Sequence, residues 1–447
     1  MWSKHANMDR RFLETAHLFS RAGFGAVTAE VEAHKNKTWA ERVDLVLDTS
    51  RAPTLAARPN LSDGRDWYDK YLDMLHYWLD RARVPVSRAP VVEKMALFWH
   101  GHLCSSLDKV QDHGAMFDQV QLFRSLGMGN VPELIWRTAI DPAMLMYLDN
   151  HLNTVRSPNE NFSRELMELF VTGVGQYSEA DVRESARAWT GHGLNDNKRY
   201  RYSASDHDGG PKTFLGRQGH WNGRDIVNLL IQQRRQAHTR FLAAKLWSFF
   251  AYPVSIHDPV VTDIAATYNR NLNAGEALRA VLMHSEFRTD RAMNGLIRSP
   301  VEFAVALMRH SRMDCATAHP EWYLSAMGQQ LYRPPNVSGW RSNEYWISES
   351  AIWARGAMAG YIRWKAYERG DLEQVNDVVS WNPRTFRYTA DQVVDQALAN
   401  YNMTLRSSQS RQALIDFVTA ERKTVNYWCQ RSGLLMLPLL TPEMQLG

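Results

Sequence analysis

Two carboxylates, Glu165 and Glu168, are the residues best suited to chemistry, because they stand three positions apart in an amphipathic segment. Side chains three or four positions apart on a helix share a face, so these carboxylates should repel each other. Such a pair needs a positive partner, or one member must hold a proton on a raised pKa. We predict acid/base catalysis by the pair, and a structural ion-pair network is the alternative.

Polar residues next to the two carboxylates could hold a substrate. Asn161 aligns with Glu165 and Glu168 on the helix, and Asn159 and Arg164 belong to the same segment. We therefore predict that the two asparagines and the arginine bind a polar substrate.

A long polar segment, residues 191–223, supplies further candidates. Long loops inside compact proteins are uncommon, and they often carry function. We predict that His207 and Asp208 take part in catalysis and that Lys212 binds substrate, with the segment covering the carboxylates as a lid. A local turn formed by Asp208 is the structural alternative.

Two histidines, His100 and His102, stand on either side of Gly101. On a continuous helix, residues two positions apart point about 200° from each other, so the two rings cannot share an ion. His102 is then expected to be buried, hydrogen-bonded and, together with Trp99, beside the substrate. A helix break at Gly101 would instead reunite the rings on a divalent metal. The candidate metal ligands are His100, His102, Glu165 and Glu168.

Composition limits the class of protein. The 447 residues are 45% hydrophobic, and 52 Lys and Arg face 48 Asp and Glu without a long run of one sign. Nucleic-acid binding needs clustered basic residues and a membrane span needs about 18 apolar residues, so we expect neither partner. Cys104, Cys315 and Cys429 have no metal or redox spacing. The N-terminus lacks the apolar stretch of a secretory signal, which predicts a cytoplasmic protein.

Helical periodicity dominates the chain, punctuated by proline and glycine. Ser157 and Pro158 predict the start of the helix that carries the carboxylates, and Ser178 with Asp181 predicts the start of the next. We predict an all-α, multi-helical array of about 55–65% helix, with one small β-hairpin in residues 191–223. The expected regions are an N-terminal helical region (1–150), a central region with the motif helix and the long loop (151–300) and a C-terminal helical region (301–447).

Six ordered sequence blocks cover most of the chain, and together they resemble the bacterial domain-of-unknown-function family 1800. They are HLFSRAGFG (17–25), EKMALFWHGHL (93–103), DPAMLMYLDN (141–150), PNENFSRELMELFVTGVGQYSEADVRESARAWTG (158–191), HDGGPKTFLG (207–216) and PPNVSGW (334–340). The family usually has asparagine where this chain has Gly101, which weakens any role that needs the amide.

The resemblance also carries expectations about function. Members of the family are often exported, and they are frequently encoded beside relatives of sulfatases or phosphatases, which implies polar or anionic substrates, glycans among them. Together with the residues above, this favours a hydrolase or lyase that acts on a polar, glycan-type substrate. A metal-dependent oxidoreductase or hydrolase and a non-catalytic scaffold or binding module are the alternatives.

Overall fold

The computed structural model describes residues 9–54, 57–62, 64–369, 388–424 and 433–447. It is 64% helical, with two small antiparallel sheets in the described part of the chain, which confirms the predicted all-α array. Cys104 and Cys315 are buried free thiols, whereas Cys429 lies outside the described residues.

The helices follow one another with short connections. Those of the first half are α1 (Arg10–Ala22), α2 (Thr28–His34), α3 (Trp39–Leu47), α4 (Trp67–Ala82), α5 (Val91–His102), α6 (Leu107–Val110), α7 (His113–Leu126), α8 (Val131–Ala139), α9 (Pro142–Tyr147), α10 (Asn161–Glu165) and α11 (Glu179–Ala188). Those of the second half are α12 (Gly223–Gln233), α13 (Arg235–Phe250), α14 (Pro259–Tyr268), α15 (Ala274–Met283), α16 (Asp290–Met293), α17 (Pro300–Ser311), α18 (Cys315–Ala318), α19 (Pro320–Ala326), α20 (Glu349–Glu368), α21 (Ala390–Asn400), α22 (Ser408–Thr424) and α23 (Pro442–Gln445).

Short 3₁₀ turns join several of these helices. They are Thr49–Arg51, Val86–Arg88, Asn150–Leu152, Ser285–Arg288, Asn343–Trp346 and Leu437–Leu440. None of the helices that the structure describes is both long and apolar enough to cross a membrane.

The helix that carries the carboxylates differs from the prediction at both ends. Its first turn begins at Asn161 rather than at Pro158, because Ser157 instead forms an isolated bridge with Thr154 and the Asn159 side chain accepts the Asn161 N–H at 2.9 Å. After α10 the backbone becomes a π-helix over Leu166–Val171. The predicted α-helical spacing of side chains therefore does not hold beyond Glu165, because a π-helix has hydrogen bonds between residues i and i+5.

The long polar segment forms two hairpins rather than one. β1 (His192–Leu194) pairs with β2 (Tyr200–Tyr202), and β3 (Lys212–Phe214) pairs with β4 (Arg217–Gly219). The second turn contains Leu215 and Gly216, both with positive φ, as a tight type I′ hairpin requires. Leucine rarely adopts such a φ, and the sequence pattern therefore does not predict this turn.

Buried aromatic rings fill much of the interior. Trp78, Trp99, Trp189 and Trp247 are at most 1% exposed and belong to one hydrophobic cluster, which extends from Phe12 to Met444. These four of the chain's 16 tryptophans therefore serve as core, which is an ordinary role of large rings.

Candidate functional site

Among the described residues, α5, α13 and the start of α17 line an open cavity of about 490 Å³, together with residues 253–256, 296–299 and 338–346. Its volume falls in the range of pockets for small ligands. The wall combines rings, hydroxyls and amides with a few charged groups. It is formed by Leu97, Phe98, Gly101, His102, Phe241, Ala244, Lys245, Ser248, Phe249, Pro253, Val254, Ser255, Ile256, Leu296, Ile297, Ser299, Glu302, Gln329, Ser338, Trp340, Arg341, Ser342, Asn343 and Trp346.

Helix α5 remains continuous through Gly101, so its two histidines face different neighbours. His100 Nε2 accepts the Tyr332 N–H at 3.0 Å, whereas His102 Nε2 donates to the Phe170 carbonyl at 3.0 Å. Burial lowers the pKa of each ring to about 3, and Lys245 adds to this effect at His102. Both imidazoles are therefore neutral at pH 7. His102 is buried and hydrogen-bonded as predicted, and it lines the cavity.

His102 connects the cavity wall to the π-helix, and His238 of α13 contacts the same π-helix. Phe170, near its end, accepts from His102, and Val171 accepts from His238 Nδ1 at 3.0 Å. π-helical turns leave carbonyls without their usual partners and frequently occur at functional sites. The neutral rings satisfy these carbonyls, and they fix the segment that carries Glu165 and Glu168 against the wall of the cavity.

A close backbone contact brings two distant sequence blocks together at the cavity. Gly339 has a φ of 79°, and a Cβ at this position would overlap the Gly101 carbonyl oxygen. Only glycine fits such a position without strain. The contact places the Trp340 ring 5.3 Å from the ring of His100, centroid to centroid, and aligns the following residues along the cavity.

Helix α13 presents one stripe to the cavity. Phe241, Ala244, Lys245, Ser248 and Phe249 follow the three-and-four spacing of a single helical face. Most other residues of α13 from Leu242 onward are buried, so Lys245 is a charged group on a largely buried part of the helix.

Lys245 has no acidic partner among the residues that the structure describes. Its ammonium lies 5.4 Å from the centroid of the Phe241 ring. The surrounding protein lowers the pKa of Lys245 through desolvation, with a small opposing effect from the Cys104 thiol. The Lys245 side chain is exposed, because it borders the open space of the cavity.

Glu302 contributes a carboxylate to the cavity wall, but its charge is already compensated. Its side chain pairs with the buried Lys94 ammonium and accepts the Ser299 N–H at 2.8 Å. Burial alone would raise the pKa of this carboxyl, but Lys94, the Ser299 N–H and Arg21 outweigh it and lower the pKa to about 2. Glu302 therefore stays ionised and paired across the physiological range.

The predicted catalytic pair lies near the cavity but does not line it. Glu165 and Glu168 are half-buried, and no described cation forms an ion pair with either. Glu168 accepts the Tyr177 hydroxyl at 2.7 Å. Burial raises the pKa of Glu165, the Glu168 charge raises it further, and Arg164 opposes both. A carboxyl with a raised pKa can serve as a general acid.

The predicted substrate-binding residues of the same segment have structural partners. Arg164 pairs with Glu179 at 2.7 Å, which directs its charge away from the catalytic pair. Asn159 holds the first turn of α10, and the Asn161 amide donates to the Leu148 carbonyl at 3.3 Å. Their role in binding remains a prediction.

The loop residues are tied to α11. Arg187 binds the Asp208 carboxylate at 2.7 Å, and His207 Nδ1 donates to the Thr190 carbonyl at 2.9 Å. Lys212 is 1% exposed and donates to the carbonyls of Asp208 and Gly210. These contacts give the lysine a structural role in the turn, and its contact with substrate remains a prediction.

Trp99 packs in the core behind α5. It is fully buried, and its indole N–H donates to the Gly127 carbonyl at 2.8 Å. Its predicted role beside the substrate remains a prediction.

The metal candidates lie apart in the structure. His100 and His102 point to different elements, as described above. In the described part of the chain, no group of three or more His, Cys, Asp or Glu side chains is placed to hold a metal ion.

The cavity thus joins residues that the sequence patterns only partly identified. Of the predicted site residues, His102 alone lines it, and Lys245, Glu302, Trp340 and Arg341 were missed. The sequence offered two signals. One was a lysine within a mostly apolar helical stripe of α13, and the other was the block PPNVSGW (334–340), whose Gly339 contacts α5.

Comparisons with known proteins give one match. The model of a family described as Protein of unknown function (DUF1800) matches residues 17–446. No curated protein and no solved structure matches the chain.

Proposed function

The chain belongs to the DUF1800 family of proteins of unknown function, and we propose that it is an enzyme that binds a polar, glycan-type substrate in the 490 Å³ cavity. The observation that carries this proposal is the mixed character of the wall. Sugars have apolar ring faces and hydroxyl edges, so a site for them needs both aromatic rings and hydrogen-bonding groups.

The cavity supplies both kinds of group. Trp340, Trp346 and Phe241 offer ring surfaces, while Gln329 and Asn343 offer amides that can donate and accept. Five serines of the wall add hydroxyls. This composition differs from the wall of a purely apolar pocket, which would favour a lipid-like ligand.

The chemistry in this proposal falls to Glu165 and Glu168, as a hydrolase or lyase would use them. The raised pKa of Glu165 and the lack of a described ion pair on either carboxylate support an acid/base role over a structural network. Glu165 and Glu168 do not line the cavity, so this role requires a substrate that extends beyond it. The bond between His102 and the Phe170 carbonyl links the segment of the two carboxylates to the cavity wall.

The proposal predicts that blocking the cavity abolishes ligand binding. Ser248→Trp places a large ring on the stripe of α13 that faces the cavity, whereas Gln236→Trp places the same ring on an exposed position of the same helix. Binding to a panel of oligosaccharides, measured by calorimetry, should be lost in Ser248→Trp and retained in Gln236→Trp.

Each result of this experiment is informative when both variants keep the wild-type circular dichroism spectrum. Equal binding by Ser248→Trp and the wild type would place the ligand outside the cavity. Binding without turnover of any oligosaccharide would favour the non-catalytic binding module over the enzyme.

A further inference from the structure

We infer that the substrate carries a negatively charged group, which is a carboxylate, a sulfate ester or a phosphate ester, and that Lys245 binds this group. This inference rests on the proposed function. Lys245 is a positioning and specificity residue in this inference. It would select acidic over neutral glycans.

The wall of the cavity carries two cations that no described carboxylate pairs with. Lys245 and Arg341 are its cations, and neither forms an ion pair with a residue that the structure describes. The carboxylate of Glu302 is neutralised by Lys94, which lies outside the wall. The cavity therefore presents unbalanced positive charge, which attracts anions.

The surroundings of Lys245 also favour an anionic ligand. The Lys245 side chain is exposed to the open space of the cavity, and no described carboxylate pairs with it. Its ammonium lies 5.4 Å from the centroid of the Phe241 ring, and the neutral His102 lines the same wall. A ligand anion that enters the cavity would supply the counter-charge and exclude water from the pair, which strengthens an ion pair.

Arg341 gives the site a second cationic contact of a different kind. Its guanidinium lies 4.8 Å from the centroid of the Tyr345 ring, and the side chain is exposed. Arg341 lies outside every helix and strand, whereas Lys245 is held on helix α13, and groups on helices are positioned more accurately than groups on loops. Lys245 is accordingly the residue on which specificity should depend.

The test uses matched pairs of ligands on three backbones: glucose, galactose and N-acetylglucosamine oligosaccharides, each neutral or bearing one carboxylate or one sulfate ester. Calorimetry with the wild type should show tighter binding of an acidic member than of its neutral counterpart. Lys245→Met should weaken the acidic ligand by roughly 10- to 100-fold, the loss of one charged hydrogen bond, and leave the neutral one nearly unchanged.

Two further variants separate charge from packing. Lys245→Arg keeps the positive charge and should retain part of the preference for the acidic ligand. Lys35→Met removes a lysine that pairs with Glu32 and does not line the cavity, so it should change nothing.

The outcomes distinguish the inference from the function on which it rests. If no member of any pair binds, the proposed function fails and the inference falls with it. The inference is overturned if neutral and acidic members bind equally, or if Lys245→Met still prefers the acidic ligand. The cavity remains a glycan site in both cases. A preference that Lys245→Met removes supports both.

Discussion

At the scale of single residues, two lysines of this chain have very different surroundings. Lys212 and Lys245 are both lysines near candidate motifs, but one donates to backbone carbonyls and the other faces an open cavity. Spacing along the chain predicted the half-buried carboxylates Glu165 and Glu168. It could not predict which cation lacks a partner, since that depends on segments distant in sequence.

Glu165 and Glu168 lead to a prediction about activity. On an oligosaccharide that the wild type cleaves, Glu165→Gln should lower kcat by about 10²- to 10⁴-fold, the usual contribution of a general acid. Because burial raises the pKa of Glu165, the protonated form persists to a higher pH, and activity should fall as pH rises through that pKa. Glu165→Gln should remove this alkaline limb from the pH profile.

The control for this prediction is stability. A raised pKa means that ionised Glu165 destabilises the fold above its unfolded pKa, so Glu165→Gln should leave the melting temperature equal or slightly higher. Glu168→Gln can still accept the Tyr177 hydroxyl and serves as the matched variant. Wild-type kinetics in both variants would refute the acid/base roles without bearing on binding in the cavity.

At the scale of elements, the capping rules predicted the start of α11 but not that of α10, and the backbone irregularities did not follow from them. Ser178 and Asp181 form the predicted capping box of α11. The π-helix at Leu166–Val171 escaped prediction because its carbonyls are satisfied by histidines from other helices. Long-range hydrogen bonds of this kind leave no periodic signal in the local sequence.

The contact between Gly339 and Gly101 supports a prediction about folding stability. Gly339→Ala should destabilise the protein by roughly 2–4 kcal/mol, because its φ is positive and a Cβ would overlap the Gly101 carbonyl. Gly101→Ala meets only the Trp340 ring, at an ordinary 3.9 Å, and should be neutral or stabilising by about 0.5–1 kcal/mol as a helical Gly→Ala change. Urea unfolding of both variants checks this, and equal midpoints would contradict it.

At the scale of the whole molecule, composition and periodicity sufficed for the fold class. A helical array follows from three-and-four spacing along most of the chain, which each segment carries locally. The cavity could not be predicted in the same way, because Gly101, Lys245 and Arg341 meet only after three separate segments pack.

Buried histidines make the stability of the whole fold dependent on pH. Burial lowers the pKa to about 3 or 4 at five of them: His100, His102, His192, His238 and His310. Their unfolded forms take up protons below about pH 6.5 while the folded forms do not. The stability that they contribute is therefore fully present above pH 6.5 and is lost as pH falls towards 4.

The expected loss is roughly 1.4 kcal/mol per pH unit for each histidine in that window. The free energy of unfolding, measured in urea at pH 7.5, 6.5 and 5.5, should fall steeply below pH 6.5. His310→Gln should reduce the slope of this free energy against pH by the contribution of about one proton. His257→Gln, at an exposed position, is the matched control and should keep the wild-type slope. A stability that does not change between pH 7.5 and 5.5 would show that these rings are not held neutral.

The most direct measurement of the central claim is a crystal structure of the protein soaked with the acidic oligosaccharide that binds best. The account predicts sugar rings in the 490 Å³ cavity against Trp340, with the acidic group at hydrogen-bonding distance from Lys245 Nζ. An oligosaccharide bound elsewhere, with the cavity empty at saturating ligand, would contradict it.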